Sequence, residues 1–196
     1  GGVFTAQLDF SKAGKWLAEI TPTDGDMKEE LARLTFQVQE QSATPALGAP
    51  APHSQNRTAR DVATLDDLTS DPNPDPDLYT MSIAQALEMK RPLVVTFATP
   101  AFCSSATCGP QVDVVKDIKK AYGNHASFIH VEIYDNPKEM QGDTNNARVA
   151  PTVDQWGLPS EPWTFITDPQ GKVASKFEGF TSYGELEDAL KQVLLP

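Results

Sequence analysis

The pattern of apolar and polar residues changes twice along the chain, near residues 40 and 77. Residues 3–40 hold three short stretches in which apolar side chains roughly alternate with polar ones, and this predicts β-strands over 3–10, 15–20 and 31–38. From Leu78 onward, apolar runs of strand length alternate with segments of helical period. The pattern therefore predicts a small all-β segment followed by an α/β domain.

The elements of the α/β domain follow from helix caps and turn residues. Ser82 and Ser182 are typical N-cap residues, and Gly123 is typical of a helix end. The sequence of residues 168–171 is a turn signal, so the last two strands should pair as a hairpin. The predicted elements, in chain order, are a helix over 82–90, a strand over Leu93–Ala98, a helix ending at Tyr122, a strand over 127–134, a long loop over 135–152 followed by one helical turn, strands over 162–167 and 172–178, and a helix after Ser182.

A proline-rich segment over residues 41–77 lies between the two parts. Its prolines are surrounded by alanine, serine, threonine and aspartate, and segments of this kind stay extended and form no core. Acids alternate with prolines over residues 71–77; this run resembles a metal or docking motif but is more typical of a solvated extended segment. The chain is therefore divided into residues 1–40, a β-strand segment, residues 41–77, a linker, and residues 78–196, the α/β domain.

Cys103 and Cys108 are the only two cysteines, and they lie where a buried strand is followed by a helix. Backbone N–H groups at a helix start are unpaired and the helix dipole favours an anion there, which is how proteins commonly obtain a reactive thiolate. Pro110 would clash with the carbonyl of Ala106 inside one continuous helix, so we expect the helix to start near residues 109–110. The two thiols should then lie within disulfide range of each other at its amino end.

Two cysteines at this spacing are compatible with a redox-active dithiol, a structural disulfide or a metal pair. Zinc normally takes four ligands, and the three histidines, His53, His125 and His130, show no ligand spacing relative to the pair. Copper held by two thiols and a histidine stays open on the sequence alone. We favour the redox dithiol, and we expect neither a metal nor a cofactor.

The net charge of −11 argues against partners that select basic surfaces, namely nucleic acid and anionic membranes. No apolar run approaches the length of a membrane span. The chain begins with Gly1-Gly2 rather than methionine, so we expect a processed form or a fragment from which a signal or a membrane anchor could have been removed. A single disulfide is compatible with an oxidising compartment.

The amino-terminal strands resemble the closing strands of an immunoglobulin-like sandwich of the extracytoplasmic kind. The resemblance is carried by the sequence Ala-Gly-Lys-Trp-Leu-Ala-Glu-Ile over residues 13–20 and by Leu-Thr-Phe-Gln-Val over residues 34–38. A full sandwich needs about seven strands, so three strands cannot close a core. We therefore expect residues 3–40 to complete their core against another chain, as in a homodimer.

The α/β domain resembles the thioredoxin-like superfamily over residues 78–196. The order strand, helix, strand, hairpin, helix agrees, with the cysteines at the first strand–helix junction. Residues 162–173, Pro-Trp-Thr-Phe-Ile-Thr-Asp-Pro-Gln-Gly-Lys-Val, are similar to the hairpin of extracytoplasmic thioredoxin-like reductases. In that family the proline is cis and packs against the active-site cysteines, so the resemblance implies a cis bond before Pro162 and a place for Pro162 in the site.

The active-site sequence departs from that family, because thioredoxins have two residues between their cysteines and this chain has four. Their Cys-Gly-Pro reappears at residues 108–110, but Gln111 stands where their second cysteine belongs. The central strand also lacks the acid that assists proton transfer in the family. Either Cys103 is the nucleophile and Cys108 resolves it, or Cys108 takes the nucleophile position; we favour Cys103 because it follows the strand more closely.

The cysteine spacing is also similar to that of peroxiredoxins of the bacterioferritin-comigratory type, which have a resolving cysteine five positions after the peroxidatic one. Here Pro100 stands at the position of their threonine, and their catalytic arginine has no clear counterpart, since Arg148 lies in a polar loop. The resemblances together imply an extracytoplasmic thiol–disulfide oxidoreductase that acts on protein thiols and disulfides. The alternatives are a two-cysteine peroxidase and a non-enzymatic binding module with a structural disulfide.

Overall fold

A computed structural model describes residues 10–21 and 32–194 of the chain. The chain divides into two compact units, Gly1–Ser42 and Ala43–Pro196. None of the helices in the described ranges combines the length and the apolar character that crossing a bilayer requires.

The first unit contains an antiparallel pair of strands, β1 (Gly14–Ile20) and β2 (Ala32–Val38). Trp16 lies opposite Phe36, and the ring of Phe10 packs edge-on against both. The two strands agree with the second and third predicted strands, while the first lies almost wholly outside the described residues. The immunoglobulin-like character and the pairing with a second chain stay predictions.

The second unit is built on a mixed four-stranded sheet flanked by helices. Its strands are β3 (Leu93–Ala98), β4 (Ser127–Glu132), β5 (Trp163–Thr167) and β6 (Val173–Glu178). Its helices are α1 (Ile83–Glu88), α2 (Cys108–Tyr122), α3 (Pro137–Met140), α4 (Pro151–Gln155) and α5 (Tyr183–Leu194). The strand order is β4–β3–β5–β6, in which β3 runs parallel to β4 and β5 runs antiparallel to both of its neighbours.

Successive residues of β3 face two different cores, because side chains alternate across a strand. Val95 and Phe97 belong to the core on the side of α1 and α4, where the Trp156 ring lies 5.1 Å from that of Phe97. Val94 belongs to the other core, with residues of α2 and α5 such as Ile118. The buried sheet thus fixes the carboxyl end of β3, from which the cysteine-bearing loop leaves.

The cap and turn residues act as the sequence predicts. Ser82 and Gln85 form a reciprocal capping box at the start of α1, and Gly123 ends α2. The turn over residues 168–171 is closed by the Gly171 N–H, which donates to the Asp168 carbonyl over 2.9 Å. Helix α2 begins at Cys108, slightly before the predicted start, because Pro110 still lies in the first turn, where no intrahelical N–H bond is lost.

Residues 43–77 pack with the second unit, although their composition predicts an extended linker without a core. Ala51 and Leu68 are buried. The Ala51 N–H donates to the Gly171 carbonyl and the Val173 N–H to the Ala49 carbonyl, so the segment lies along the β5–β6 hairpin. Prolines suit this arrangement, since an edge segment can leave some N–H positions unpaired. The division between linker and domain stays a prediction, but these residues add directly to the second unit.

The acid–proline run over residues 71–77 is exposed at Pro72, Asn73, Pro76 and Asp77, as predicted, but its acids also contact lysines of α2. Asp71 is buried, and its carboxylate lies 2.6 Å from the Lys116 ammonium. The Lys119 ammonium lies 2.9 Å from Asp75 and 2.7 Å from Asp77. The two lysines are neighbours on one face of α2. The run therefore holds the proline-rich segment against the helix that carries Cys108.

Lys116→Ala is expected to lower the free energy of unfolding by about 2–3 kcal/mol, because it leaves the buried Asp71 carboxylate without its cation. The matched control is Lys120→Ala on the same helix, where the lysine side chain is 74% exposed and pairs with Asp117. That variant should change the free energy by less than about 0.5 kcal/mol. Urea denaturation measures both, and equal small losses would contradict the role of Lys116.

Candidate active site

Cys103 and Cys108 form a disulfide, with their Cα atoms 5.9 Å apart. They lie in and directly after the loop over residues 99–107, called the cysteine loop below, which joins β3 to α2. Cys108 is the first residue of α2 and is fully buried, whereas Cys103 is only partly buried. The structure confirms the predicted proximity of the two cysteines at the amino end of this helix, and it adds a difference in accessibility.

The cysteine loop consists of two consecutive turns. The Phe102 N–H donates to the Thr99 carbonyl over 3.1 Å, and the Ala106 N–H donates to the Cys103 carbonyl over 3.3 Å. The hydroxyl of Ser105 lies 3.2 Å from the Cys103 sulfur. A hydroxyl at that distance can donate to a Cys103 thiolate, and such a bond favours the charged form of a thiol.

The side chain of Cys108 has apolar neighbours, and its backbone lies at the start of α2. Its side chain packs with Ala98 and Val112. Its backbone belongs to the first turn of α2, whose N–H groups have no partner within the helix. A thiolate that forms at Cys108 is thus shielded from water by the core and faces the positive end of the helix dipole.

Pro162 lies at the same edge of the sheet as the cysteines. It is buried, and the Glu161–Pro162 peptide bond is cis. It directly precedes β5, where Trp163 pairs with Phe97, and continuing this register places Pro162 level with Ala98. The three site residues predicted from the sequence are therefore brought to the carboxyl end of β3. Their roles in a reaction stay predictions.

A layer of uncharged, hydrogen-bonded side chains ties β3, β5 and α2 together. The hydroxyls of Thr96 and Thr164 lie 3.0 Å apart on adjacent strands. The Gln111 amide donates to the Thr164 hydroxyl over 3.3 Å and accepts from the Thr181 N–H over 2.7 Å. All four residues are buried. Gln111, which replaces the second thioredoxin cysteine, thus connects α2 to β5 and to the segment before α5.

A buried acid lies next to the cysteine loop, on β4 rather than on the central strand. One oxygen of Glu132 accepts from the Ser70 N–H over 2.8 Å and from the Ser70 hydroxyl over 2.7 Å, and the other accepts from the Ile133 N–H over 3.0 Å. Burial raises the pKa of the Glu132 carboxyl, and the hydrogen bonds from Ser70 and Ile133 partly oppose this. Glu132 is not among the residues predicted from the sequence; its signal is an acid between the apolar residues Val131 and Ile133 of a predicted strand.

His130, also on β4, is a second buried titratable group that the sequence did not single out as functional. Burial lowers its pKa to about 4, so the imidazole is neutral at ordinary pH. Its Nε2–H donates to the Ala98 carbonyl over 3.1 Å, and its Nδ1 accepts from the Tyr79 hydroxyl over 2.7 Å. Burial also raises the pKa of Tyr79, so this hydroxyl keeps its proton. His130 therefore hydrogen-bonds the backbone of Ala98, the residue of β3 that packs against Cys108.

A cavity of about 280 Å³ lies beside β4. Its lining includes Arg57, His130, Glu132 and Tyr134. The Tyr134 ring also packs against Phe102 of the cysteine loop, with ring centroids 6.1 Å apart.

Across residues 10–21 and 32–194, no group of three or more histidine, cysteine, aspartate or glutamate side chains is arranged to hold a metal ion.

Arg148, the arginine in the polar loop after β4, forms an ion pair with Glu139 at 2.9 Å. Both side chains are exposed on the surface. This places the arginine in an ordinary surface ion pair within the polar loop after β4.

A comparison with models of protein families finds a match. A family model described as a thioredoxin-like domain matches residues 79–194. Among solved structures, the chain is similar to a protein from Chlorobium tepidum provisionally named thiol:disulfide interchange protein DsbE, with 16% identity and a TM-score of 0.44 over 55% of this chain and 84% of that one. It is also similar to a thiol:disulfide interchange protein of the thioredoxin family from Chlorobium tepidum TLS, with 14% identity and a TM-score of 0.47 over 65% of this chain and 97% of that one. A search of curated proteins finds no match.

Proposed function

The chain belongs to the thioredoxin-like domain family, and from this we propose that it is a thiol–disulfide oxidoreductase whose redox centre is the pair Cys103 and Cys108. The family match and the β4–β3–β5–β6 sheet confirm the fold class predicted from the sequence. The observation that carries the proposal is the pairing of a partly exposed cysteine with a fully buried one at a helix amino end.

The difference in accessibility sets the order of the reaction. A substrate thiolate reaches the Cys103 sulfur, because Cys108 is fully buried. Attack forms a bond between the substrate sulfur and Cys103, and it breaks the bond between Cys103 and Cys108. Cys108 leaves as a thiolate at the amino end of α2, where the unpaired N–H groups favour it.

A second substrate thiolate then attacks the substrate sulfur of this mixed disulfide. The substrate disulfide forms, Cys103 leaves as a thiolate, and two electrons have passed from the substrate to the cysteine pair. The two cysteines take up the two protons that the substrate thiols gave up. In the reverse direction, the Cys103 thiolate attacks a substrate disulfide and Cys108 resolves the mixed disulfide.

The substrates we propose are protein thiols and disulfides, and the proposed location is outside the cytoplasm. Two features support the location: an intramolecular disulfide, which persists in oxidising compartments, and the sequence similarity of residues 162–173 to extracytoplasmic reductases. The proposed self-association through β1 and β2 is supported by their exposed apolar side chains, Leu17, Ile20 and Leu34.

The reduction potential of the Cys103–Cys108 pair tests the proposed function. The full chain is equilibrated with glutathione buffers of known potential, and the oxidised fraction is measured from the mass added by a thiol alkylator. We expect a potential near or above the value of roughly −270 mV for thioredoxin. A potential below about −300 mV is typical of structural disulfides and would favour the non-enzymatic binding module.

A further inference from the structure

We propose that Glu132 is a positioning residue for the cysteine loop, which it holds through Ser70, and that this link stabilises the Cys103–Cys108 disulfide relative to the dithiol. The inference rests on the proposed function, since it concerns how readily the same pair is reduced. It assigns a role to a buried acid that the exchange reaction does not itself need.

The hydrogen bonds from the loop to Glu132 have a defined direction. The Ser70 hydroxyl has one hydrogen and donates it to the Glu132 carboxylate over 2.7 Å. The same hydroxyl oxygen therefore acts as the acceptor for the Ala101 N–H, 3.1 Å away. The Ala101 N–H is thus bound to a serine whose rotamer is fixed by a buried carboxylate.

The geometry makes Glu132 a rigid anchor. It is 5% exposed, and β-pairing sets it opposite Ala98, the last residue of β3. Its two oxygens accept from donors on two different segments, the Ser70 backbone and hydroxyl on one side and the Ile133 N–H on the other. A buried carboxylate that loses such donors is strongly destabilised, so the arrangement resists displacement.

The anchor acts on the part of the loop that carries Cys103. Ala101 lies two residues before Cys103, and Phe102 between them is held by its ring contact with Tyr134 and by the Thr99 carbonyl. Cys108 is held independently, as part of α2. The equilibrium for closing the disulfide ring depends on how closely the two sulfurs are held, so releasing Ala101 should favour the dithiol.

The test measures the disulfide–dithiol equilibrium of full-length variants against glutathione. Glu132→Gln and Ser70→Ala should each shift it towards the dithiol by about fivefold, the worth of one hydrogen bond. For two electrons this makes the potential about 20 mV less negative. Ser70→Thr keeps the hydroxyl and should stay within about twofold of the wild type. Glu88→Gln, an exposed acid on α1, is the matched control and should leave the equilibrium unchanged.

The double variant Glu132→Gln/Ser70→Ala separates positioning from general destabilisation. Both residues act on Ala101 through the same hydroxyl, so the double variant should shift the equilibrium by no more than about the larger single shift. If Glu132→Gln does not fold, Ser70→Ala and its Ser70→Thr rescue measure the same link without altering the buried carboxyl.

The outcomes also separate this inference from the proposed function. Variants that lose stability in urea while their disulfide equilibrium stays at the wild-type value would show that Glu132 is only structural, and the inference would be wrong. A wild-type potential below about −300 mV, with the fivefold shifts still measured against dithiothreitol, would overturn the proposed function and support the positioning role.

Discussion

Cys103→Ser is expected to abolish thiol–disulfide exchange, whereas Cys108→Ser should keep the first step and accumulate a mixed disulfide. Cys103 is the accessible sulfur, and a serine hydroxyl is not a useful nucleophile here, so its loss should slow exchange by a factor of about a hundred or more. Cys108 is needed only to resolve the intermediate. Intact-mass measurement of the reduced variants after mixing with oxidised glutathione follows both steps, because the trapped adduct retains one glutathione.

The controls distinguish the alternatives. The trapped adduct of Cys108→Ser should disappear on adding dithiothreitol, and the double serine variant should form no adduct. Trapping on Cys108 in the Cys103→Ser variant would instead identify Cys108 as the nucleophile. If hydrogen peroxide is consumed rapidly and a thiol reductant sustains the consumption, the chain is a peroxidase.

Local sequence patterns were sufficient to predict most elements of the second unit. Leu93–Ala98 is recognised as a strand from its own apolar and β-branched residues, and Ser82 as an N-cap from the residue itself and its neighbours. The packing of residues 71–77 against α2 could not be predicted in this way. Its ion pairs join residues far apart, for example Lys119 and Asp75, 44 positions apart, and composition alone does not show which lysines face a proline-rich segment.

The residues of the candidate site also differ in whether the sequence alone could identify them. The cysteines and Pro162 could be identified because their signals, a spacing and a hairpin sequence, are contained in short stretches. Glu132 acquires its role from Ser70, which is 62 positions away, so that role exists only in the fold. A glutamate within an apolar strand is a usable signal of a buried, hydrogen-bonded group, but it does not name the partner.

His130 is expected to make the second unit less stable as the pH falls from about 6.5 to about 4. Burial lowers the pKa of this imidazole from 6.5 to about 4, so between these values the unfolded chain takes up a proton that the folded chain does not. The stabilisation is fully present above the unfolded value and is lost as the pH falls through the window. The difference in pKa corresponds to about 3 kcal/mol.

Urea denaturation of the wild type, His130→Gln and His125→Asn between pH 7.5 and 4 measures this contribution. His130→Gln should be less stable at pH 7.5, because glutamine replaces the bonds to Tyr79 and Ala98 imperfectly. Its disadvantage relative to the wild type should shrink by about 3 kcal/mol on reaching pH 4, since it has no imidazole to protonate. His125 is exposed, so His125→Asn should follow the wild type. The carboxyl groups, including Glu132, are present in all three proteins, so their contributions cancel in the comparison. If the free energy of unfolding of His130→Gln and of the wild type fell in parallel with pH, His130 would not be the group whose protonation opposes folding.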